Sequence, residues 1–431
     1  MHIYFSGIGG AGIGPLAEIA HQAGFTVSGS DKRDSSYVHE LKNNGINNIF
    51  IGQSYEQIQQ AHKQQPIDWL VYSSAVTLEN SNAPEIIFAA KENIKYSKRD
   101  VFINFIISTF NLKLIAVAGT HGKTTTTALT VWLADQIKLN LSYILPAKTS
   151  FARLGHFDKN SKYLAIEADE FDNNFLSFRP EYSLISGLAW DHHEFFNTQE
   201  AYNQAFQKFI DKSTSTLIWQ EDADKLKLKQ SDRISIISQK ELVENNIKLY
   251  GHYNRLDALL VIQLFLRLSS YNSGQLSGLV NNFPGLSRRM EQIIPNLYSD
   301  YAHTPEKIKG LMSIATEMAA TTKQRIIIIY EPLTNRRQHF IKEQYANCFQ
   351  NADLIYWVPS YLAREDSNQV ILSPSDLIQY LEDPSKAHPQ ELNKQLKNII
   401  ISHLNQHDMV IAISGGGGQS LDEWLRNEFQ N

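Results

Sequence analysis

The segment GTHGKTTT, residues 119–126, lies between an apolar run, LIAVA at 114–118, and a stretch that favours a helix. This order predicts a β-strand, a phosphate-binding loop and an α-helix. The glycines allow consecutive N–H groups to face a polyphosphate, and the helix N-terminus adds partial positive charge. Val117 stands where the longer form of this loop has its first glycine. The segment therefore predicts a compact nucleoside-triphosphate site in which Lys123 and Thr124 serve phosphate and Mg²⁺.

Composition sets the class of protein. The chain has 431 residues, 42% of them hydrophobic, which is enough for roughly three domains of about 150 residues each. A formal net charge of −5 gives no electrostatic reason to expect nucleic acid or an anionic membrane as partner. The single Cys348 forms no internal disulfide, no apolar run approaches the ~20 residues of a membrane span, and the N-terminus turns glycine-rich too early for a signal peptide. We therefore expect a globular, cytoplasmic protein.

A second glycine-rich segment, GIGGAG at 7–12, follows a short predicted strand at 2–6 and precedes a predicted helix. Another predicted strand, at 25–28, leads to Asp31, about 20 positions beyond the glycines, where dinucleotide folds carry a ribose-binding carboxylate. This pattern fits a nicotinamide dehydrogenase or an ordinary turn of a doubly wound sheet. The second nucleotide loop at 119–126 weighs against the dehydrogenase.

An acidic segment, EADEFD at 167–172, follows a predicted strand at 163–166. A solvated acidic turn is the plain structural alternative. A carboxylate at a strand end near a phosphate loop is, however, a suitable ligand for Mg²⁺, because hard cations prefer oxygen. Glu167 is therefore the predicted metal ligand.

The segment AWDHHE at 189–194 follows a predicted strand at 182–188. Its composition admits zinc, but the adjacent His192 and His193 lack the i, i+4 spacing that places two imidazoles on one helical face. Downstream, GHYNRLDA at 251–258 opens a predicted helix. Asn254 and Asp257 in its first turn fit either adenine recognition or helix capping.

The last part of the chain begins at a predicted hinge, Pro284-Gly285, which interrupts the helical pattern. A fully apolar strand at 326–329 predicts a buried parallel sheet, and EPLTNRR at 331–337 follows its carboxyl end, where ligand sites lie. Four glycines at 415–418 follow a predicted strand at 409–413. Because no basic residue accompanies them, we expect a permissive turn there.

The compact GTHGKTT loop resembles the ATP site of the Mur ligases, which build the peptide stem of peptidoglycan. Other segments resemble motifs of this family in the same order. GIGGAGIG with SGSD at 28–31 is similar to its UDP-sugar domain, EADE to its second ATP motif, GHYNRLDA to its adenine motif and DYAHTP at 300–305 to its DYxHxP motif. Tyr253 and Asp257 depart from the adenine motif, which has His and Asn there.

The resemblance implies an α/β fold of three domains. A Rossmann-like domain at 1–111 would bind the UDP-sugar, a central P-loop ATPase-type parallel-sheet domain at 112–285 would bind ATP, and a Rossmann-like domain at 286–431 would bind the acceptor. ATP is the implied co-substrate and Mg²⁺ the implied metal. The carboxylate of UDP-N-acetylmuramic acid would attack the γ-phosphate, and the resulting acyl phosphate would react with the acceptor amine to give an amide.

The resemblance also assigns residues. The implied catalytic residues are Lys123, His192 and His121, and the implied metal ligands are Thr124, Glu167 and His192. The implied ATP-binding residues are Gly119, Thr120, Gly122, Lys123, Thr124, Thr125, Asn254, Asp257, Arg289 and Asp300. The implied UDP-sugar residues are Gly7, Gly9, Gly10, Gly12, Ser30, Asp31 and Ser73. The implied acceptor residues are Tyr301, His303 and Arg337.

Two acceptors are known in this group, L-alanine and the tripeptide L-Ala-γ-D-Glu-meso-diaminopimelate. The N-terminal loop and the chain length resemble the L-alanine enzymes of cell-wall synthesis, whereas EADEFD, LAWDH at 188–192 and EPLTN resemble the recycling enzymes that take the tripeptide. L-alanine is the predicted acceptor, with the tripeptide as the alternative. Two hypotheses from other functional classes stay open. The protein could be a nicotinamide-dependent oxidoreductase, in which Lys123 would be dispensable, or a non-catalytic nucleotide-binding protein.

Overall fold

A computed structural model describes residues 1–80, 82–192, 195–362, 365 and 368–430. These residues form an α/β protein with three β-sheets, which confirms the predicted fold class. Its contacts divide it into two compact units, Met1–Lys248 with Tyr253–Pro284, and Leu249–His252 with Gly285–Asn431. The first unit contains two of the sheets and the second unit contains the third. Among the described residues, no helix is both long enough and apolar enough to cross a membrane.

The first sheet is parallel throughout. Its strands are β1 His2–Ser6, β2 Thr26–Asp31, β3 Ile49–Ile51, β4 Trp69–Tyr72 and β5 Lys95–Lys98. The helices around it are α1 Gly14–Gln22, α2 Ser36–Asn43, α3 Tyr55–Gln64, α4 Ser74–Glu79, α5 Pro84–Lys91 and α6 Arg99–Thr109. The strand order is β3-β2-β1-β4-β5. The central β1 is buried along its whole length, as expected for a parallel strand covered on both faces.

The second sheet carries the phosphate loop. Its strands are β6 Lys113–Ala118, β7 Leu141–Ile144, β8 Gly155–His156, β9 Tyr163–Glu167, β10 Tyr182–Ile185, β11 Ser215–Trp219 and β12 Ile234–Ile237. Its helices are α7 Lys123–Gln136, α8 Gln199–Asp211, α9 Gln220–Lys225, α10 Glu241–Glu244, α11 His252–Leu268 and α12 Ser273–Val280, and a 3₁₀ helix spans Phe171–Ser177. The order is β12-β11-β10-β6-β9-β7-β8, with only the β7/β8 pair antiparallel among the described residues.

The third sheet forms the second unit. Its strands are β13 Glu291–Ile294, β14 Leu297–Asp300, β15 Ile326–Glu331, β16 Leu354–Trp357, β17 Ala387–Pro389 and β18 Met409–Ser414. Its helices are α13 Pro305–Thr322, α14 Asn335–Ile341, α15 Pro374–Ile378, α16 Lys394–Asn405 and α17 Leu421–Phe429, with 3₁₀ turns at Lys342–Tyr345 and Pro384–Lys386. The order is β13-β14-β18-β15-β16-β17. The β13/β14 pair is antiparallel, and the other described pairs are parallel.

Two predicted strand boundaries are wrong. The strand predicted at 25–28 extends to Asp31, because β2 pairs with β1 up to Ser30 and with β3 up to Asp31. The strand predicted at 182–188 ends at Ile185. Gly187 has φ 155°, and its carbonyl accepts a hydrogen bond from the Thr120 N–H at 2.8 Å, so the chain leaves the sheet to meet the phosphate loop.

Candidate active site

The phosphate loop connects the carboxyl end of β6 to α7 in the order that the sequence predicts. Gly122 adopts the left-handed conformation at the start of α7, with φ 77°, and Gly119 has φ 144°. A side chain at either glycine would also collide, because a Cβ at Gly119 would lie 2.7 Å from the Ser186 Oγ and one at Gly122 would meet the Asp257 carboxylate. Both glycines are therefore required by the backbone and by close packing.

Two carboxylates hold the reactive side chains of the loop. The Lys123 Nζ lies 2.8 Å from the Glu170 Oε2 and also donates to the Gly119 carbonyl at 2.5 Å. The Thr124 Oγ1 donates to the Glu167 Oε2 at 2.9 Å. Burial lowers the pKa of Lys123, but attraction by Glu170 and Glu167 outweighs it, so the pKa is raised and the ammonium stays charged. Burial raises the pKa of Glu167, opposed by Lys123.

A buried tyrosine connects three segments of this site. The Tyr202 hydroxyl, on α8, lies 2.6 Å from the Thr120 Oγ1 and 3.4 Å from the Glu170 Oε1. Thr120 in turn donates to the Ala189 carbonyl at 2.6 Å. The phosphate loop, the acidic segment and the segment that leads to His192 are thereby tied together. Tyr202 is 1% exposed.

The two candidate catalytic histidines occupy different places. His121 lies exposed in the phosphate loop, and its backbone carbonyl accepts from the Ser186 Oγ at 2.5 Å. His192 belongs to a group with Asp169 and Glu170 whose possible ligand atoms all lie within 4.8 Å of one another. His193 and Glu194, the other residues of the zinc hypothesis, lie outside the described residues.

The residues predicted to meet adenine lie in the first turns of α11. Asn254 is half-buried, whereas Asp257 is 3% exposed and lies against Gly122 of the phosphate loop. Burial raises the pKa of Asp257 well above its ordinary value. The structure therefore places Asp257 beneath the loop. Thr125 is half-buried at the start of α7.

A cavity of about 240 Å³ lies at the carboxyl edge of the first sheet. Four of its lining residues are predicted UDP-sugar residues, namely Gly7, Gly10, Asp31 and Ser73. The other lining residues were not predicted from the sequence: Lys32, Gln53, Val76, Asn80, Ala83, Pro84 and Glu85. Sites at this edge are expected for a doubly wound sheet. Ser30, by contrast, is completely buried below the cavity.

The glycine loop beside this cavity is held by Asp31. The Gly9 N–H donates to the Asp31 Oδ2 at 2.8 Å, and the N–H groups of Gly7 and Ile8 donate to the Ser30 carbonyl. A Cβ at Gly12 would collide with the Arg99 guanidinium, which therefore lies directly against the loop. Arg99 supplies positive charge beside a predicted diphosphate site.

An ion pair links the last strand of the first sheet, β5, to the acidic segment within the same unit. The Lys98 Nζ, at the end of β5, lies 2.8 Å from the Asp172 Oδ2. The hydrogen bond to Asp172 raises the pKa of Lys98. Asp172 and Asn173 both have positive φ angles, 56° and 52°. The sharp turn that follows EADE is thus anchored by a residue adjacent to Arg99.

In the second unit, Asp300 and Tyr301 lie at the carboxyl end of β14. Asp300 is 6% exposed and accepts from the N–H groups of Met290 and Ala302, both at 2.8 Å. Burial raises the pKa of Asp300, opposed chiefly by Arg289. The guanidinium carbons of Arg288 and Arg289 lie 4.7 and 5.7 Å from the centre of the Tyr301 ring. The structure thus brings the predicted residues Arg289, Asp300 and Tyr301 together.

His303 and Arg337 complete the predicted acceptor residues. The His303 ring packs 4.8 Å from the Tyr301 ring, edge to face, and its Nδ1 lies 2.9 Å from the Tyr301 carbonyl oxygen. Burial, together with the charges of Lys307 and Arg337, lowers the pKa of His303 to about 4. The Arg337 Nη1 is buried without a hydrogen-bond partner among the described residues. A buried, unpaired guanidinium nitrogen is the donor that a carboxylate ligand would satisfy.

Several residues of these sites were not predicted. Glu170 lies in the acidic segment, but the sequence alone does not indicate which of its carboxylates faces Lys123. Tyr202 and Glu85 lie in helices far along the chain from their partners. The serine-glycine junctions at Ser6-Gly7 and Ser414-Gly415 are a local signal in the sequence. A strand that ends at a glycine is typical of the sheet edge at which ligands bind.

Two family profiles and many curated proteins match this chain. A profile described as the Mur ligase family, catalytic domain, matches residues 2–111, and one described as the Mur ligase middle domain matches residues 117–250. A UDP-N-acetylmuramate–L-alanine ligase of Clostridium botulinum strain Langeland is 26% identical, over 99% of this chain and 97% of its own length. A ligase of the same name from Agathobacter rectalis is 28% identical over the same shares.

Solved structures give the same architecture. The crystal structure of a UDP-N-acetylmuramate-alanine ligase from Thermotoga maritima covers 100% of this chain and 98% of its own, with a TM-score of 0.79 and 23% identity. A murein peptide ligase from Psychrobacter arcticus covers 100% and 99%, with a TM-score of 0.62 and 20% identity. At these identities the likeness concerns the fold.

Fold, phosphate loop and relatives define the class of protein, an ATP-dependent ligase that forms an amide bond. The two matching profiles identify one family within that class, because both describe domains of that family and together they cover more than half of the chain. The chain belongs to the Mur ligase family.

Proposed function

We propose that this protein joins the carboxylate of UDP-N-acetylmuramic acid to the amine of L-alanine, with hydrolysis of ATP, in peptidoglycan synthesis. The observation that carries the proposal is the phosphate loop with its two carboxylate-held side chains, Lys123 on Glu170 and Thr124 on Glu167. The name of relatives that match over 99% of the chain supports the choice of substrates. The predicted place of action is the cytoplasm.

The residues around Thr124 fit a magnesium ion. The Thr124 Oγ1 and the Glu167 Oε2 lie 2.9 Å apart beside the loop, and both are oxygen donors of the kind that Mg²⁺ prefers. We expect Thr124 and Glu167 to hold the ion, with His192 near the Asp169 and Glu170 carboxylates. Bound there, Mg²⁺ would offset the negative charge of the ATP phosphates.

The chemical step needs positioning and charge more than covalent help. The substrate carboxylate oxygen attacks the γ-phosphorus, the bond to the β–γ bridging oxygen breaks, and ADP leaves. Lys123, whose ammonium stays charged, would exchange its contact with Glu170 for a phosphate oxygen and stabilise the transferring group. The acceptor amine then attacks the acyl carbon, and inorganic phosphate leaves with formation of the amide.

The cavity of the first sheet supplies the groups that a UDP-sugar requires. Loop N–H groups and the cations Lys32 and Arg99 suit a diphosphate, and Asp31 suits a ribose hydroxyl. In the second unit, Arg337 has the free donor for an amino-acid carboxylate. His303, with a pKa of about 4, is neutral at pH 7 and can orient an acceptor without adding charge.

The test is phosphate release from ATP by the purified protein with UDP-N-acetylmuramic acid and Mg²⁺, comparing L-alanine with the tripeptide L-Ala-γ-D-Glu-meso-diaminopimelate. We expect release with L-alanine and much less with the tripeptide. A preference for the tripeptide would move the enzyme to cell-wall recycling. Release with neither acceptor would contradict the ligase and favour a non-catalytic nucleotide-binding protein.

Two lysine variants, one at each end of α7, make this test specific. Lys123→Ala should abolish phosphate release, whereas Lys138→Ala, just beyond the end of α7 and exposed, should leave it unchanged. In a nicotinamide-dependent oxidoreductase Lys123 would be dispensable, so both variants would keep their activity, and the assay would show hydride transfer at 340 nm without release of phosphate.

A further inference from the structure

A buried carboxylate lies beneath the UDP-sugar cavity and has no part in the mechanism above. Glu85 is the second residue of α5 and is 1% exposed, yet it contributes to the cavity wall together with Gly7, Gly10 and Asp31. Burying a carboxylate is costly unless hydrogen bonds satisfy it. A glutamine would fill the same space without a carboxyl group to bury, so the contacts of Glu85 indicate its purpose.

Three hydroxyl groups donate to this carboxylate. The Oε1 accepts from the Tyr4 hydroxyl at 2.9 Å and from the Ser30 Oγ at 2.5 Å, and the Oε2 accepts from the Ser6 Oγ. Tyr4 and Ser6 belong to β1, and Ser30 belongs to its neighbour β2. The Gln53 Nε2, in the cavity wall, donates to the Ser6 Oγ at 3.1 Å. A polar network therefore runs from the cavity surface to the buried Glu85.

The two serines lie directly before two residues of the cavity wall that are predicted to bind the UDP-sugar, and Ser30, although predicted as well, is completely buried. Ser6 precedes Gly7, the first residue of the glycine loop, and Ser30 precedes Asp31. The Gly7 N–H also donates to the Ser30 carbonyl at 2.8 Å, and the Gly9 N–H donates to Asp31. Because Glu85 holds both serines at once, it fixes the spacing between the start of the loop and Asp31.

We propose that Glu85 is the positioning residue of the UDP-sugar site, holding the carboxyl ends of β1 and β2 so that the glycine loop and Asp31 keep the geometry that receives a nucleoside diphosphate sugar. This inference rests on the proposed function. A purely structural role is the alternative, since an acidic residue in the first turn of α5 also interacts favourably with the helix dipole. The affinity for the UDP-sugar distinguishes the two roles. Loss of a purely structural residue would lower the stability of the protein alone, whereas loss of a positioning residue would also weaken UDP-sugar binding.

A second buried carboxylate of the same sheet region provides a matched control. Glu18, on α1, is 2% exposed and accepts from the Asn44 Nδ2 at 2.7 Å, the Gly155 N–H at 3.0 Å and the Tyr37 hydroxyl at 3.2 Å. It does not belong to the cavity wall. Its loss should therefore destabilise the protein in a similar way without changing the UDP-sugar site.

The experiment measures the dissociation constants of UDP-N-acetylmuramic acid and of ATP·Mg²⁺ by isothermal titration calorimetry, with the melting temperature, for wild type, Glu85→Ala, Glu85→Gln, Glu18→Ala and Glu18→Gln. We expect Glu85→Ala to weaken UDP-sugar binding about tenfold or more, because it removes three buried hydrogen bonds that hold β1 and β2. The dissociation constant of ATP·Mg²⁺ should stay within about twofold of the wild-type value.

The remaining variants separate positioning from folding. Glu85→Gln keeps one acceptor oxygen and should recover part of the UDP-sugar affinity, whereas both Glu18 variants should lower the melting temperature with UDP-sugar affinity unchanged. If Glu85→Ala does not fold, Ser6→Ala removes one donor of the same network, at a residue that is not a predicted UDP-sugar residue, and should also weaken UDP-sugar binding. Wild-type affinity in the Glu85 variants, or equal loss in the Glu18 variants, would overturn the inference. Failure of the wild type to bind the UDP-sugar would instead overturn the proposed function.

Discussion

At the scale of single residues, the Lys123–Glu170 pair is the most consequential contact of the site. Both side chains are largely buried, with 13% of the Lys123 side chain and 1% of the Glu170 side chain exposed. Removing one partner of a buried ion pair leaves an uncompensated charge, whereas a surface pair contributes little. We therefore expect Glu170→Gln to lower the free energy of unfolding by roughly 3 kcal/mol.

A second lysine–glutamate pair in the same sheet serves as control. The Lys113 Nζ lies 2.7 Å from the Glu181 Oε1, but 54% of the Lys113 side chain is exposed. Glu181→Gln should change the free energy of unfolding, measured by urea denaturation, by less than about 1 kcal/mol. ATP·Mg²⁺ should restore part of the loss in Glu170→Gln, because a phosphate oxygen replaces the carboxylate. Equal destabilisation by both variants would contradict the buried-pair interpretation.

His303 makes stability depend on pH. Its pKa is about 4 in the folded protein and 6.5 in its ordinary state, so between these values the unfolded chain binds a proton that the folded protein does not. Protonation then favours unfolding. The contribution of His303 to the free energy of unfolding should be constant above about pH 6.5 and should become increasingly unfavourable as the pH falls to about 4.

The measurement is urea denaturation at pH values from 4 to 8 for wild type and His303→Gln, which cannot titrate. The difference between the two proteins isolates His303 from the carboxylates that titrate in both. We expect wild type to lose stability relative to the variant as the pH falls through this range. Parallel curves would mean that His303 is not desolvated in the folded protein.

At the scale of elements, the phosphate loop depends on backbone conformations that only glycine adopts readily. Gly122→Ala would place a Cβ on a left-handed residue and against the Asp257 carboxylate, so we expect ATP affinity to fall at least about tenfold. Gly278, in α12, has open space around its Cβ position and an ordinary φ. Gly278→Ala should leave ATP binding unchanged and raise the free energy of unfolding by about 0.5–1 kcal/mol.

Isothermal titration calorimetry with ATP·Mg²⁺ gives the affinities, and thermal denaturation in the absence of nucleotide gives the stabilities. The comparison separates loss of the loop geometry from any general effect of replacing glycine by alanine. Unchanged ATP affinity in Gly122→Ala would show that the loop does not hold the phosphates.

The elements themselves were largely predictable. Periodicity and apolar runs predicted β1, β6, β9, β15 and β18 to within two residues, because strands of a buried parallel sheet are continuous apolar segments. The end of β10 was not predictable, since it depends on the hydrogen bond between Gly187 and Thr120, far apart in the chain. For the same reason the partners of Lys123 and of Ser6 could not be read from local sequence. The boundaries of the three predicted domains stay a prediction.

At the scale of the whole molecule, each compact unit holds a glycine loop in the same way. In the first unit, Ser6 ends β1 and donates to the buried Glu85. In the second unit, Ser414 ends β18 and donates to the buried Glu331 at 2.5 Å, while the Leu421 N–H donates to the other carboxylate oxygen at 3.0 Å. A buried glutamate that binds the last strand residue fixes where the following glycines begin. The permissive turn expected at 415–418 stays a prediction, and this glutamate fixes the residue at which it begins.

The division of the chain into two units predicts where each substrate acts. The cavity residues and the phosphate loop belong to the first unit, whereas Tyr301, His303 and Arg337 belong to the second. A ligand present at 100 times its dissociation constant stabilises the state that binds it by about 2.7 kcal/mol. Hydrogen exchange followed by mass spectrometry should therefore show slower exchange at 7–12 with UDP-N-acetylmuramic acid and at 119–126 with ATP·Mg²⁺.

L-alanine should slow exchange mainly at 300–303 and 331–337 in the same experiment. Lys123→Ala provides the control, because it should remove the protection given by ATP·Mg²⁺ while the protection given by the UDP-sugar persists. The two effects separate because the cavity wall and the phosphate loop share no residue. Protection by UDP-N-acetylmuramic acid confined to the second unit would contradict the assignment of the cavity. Protection by ATP·Mg²⁺ that survives in Lys123→Ala would likewise contradict the assignment of the loop, since the retained nucleotide would have to bind without its principal cation.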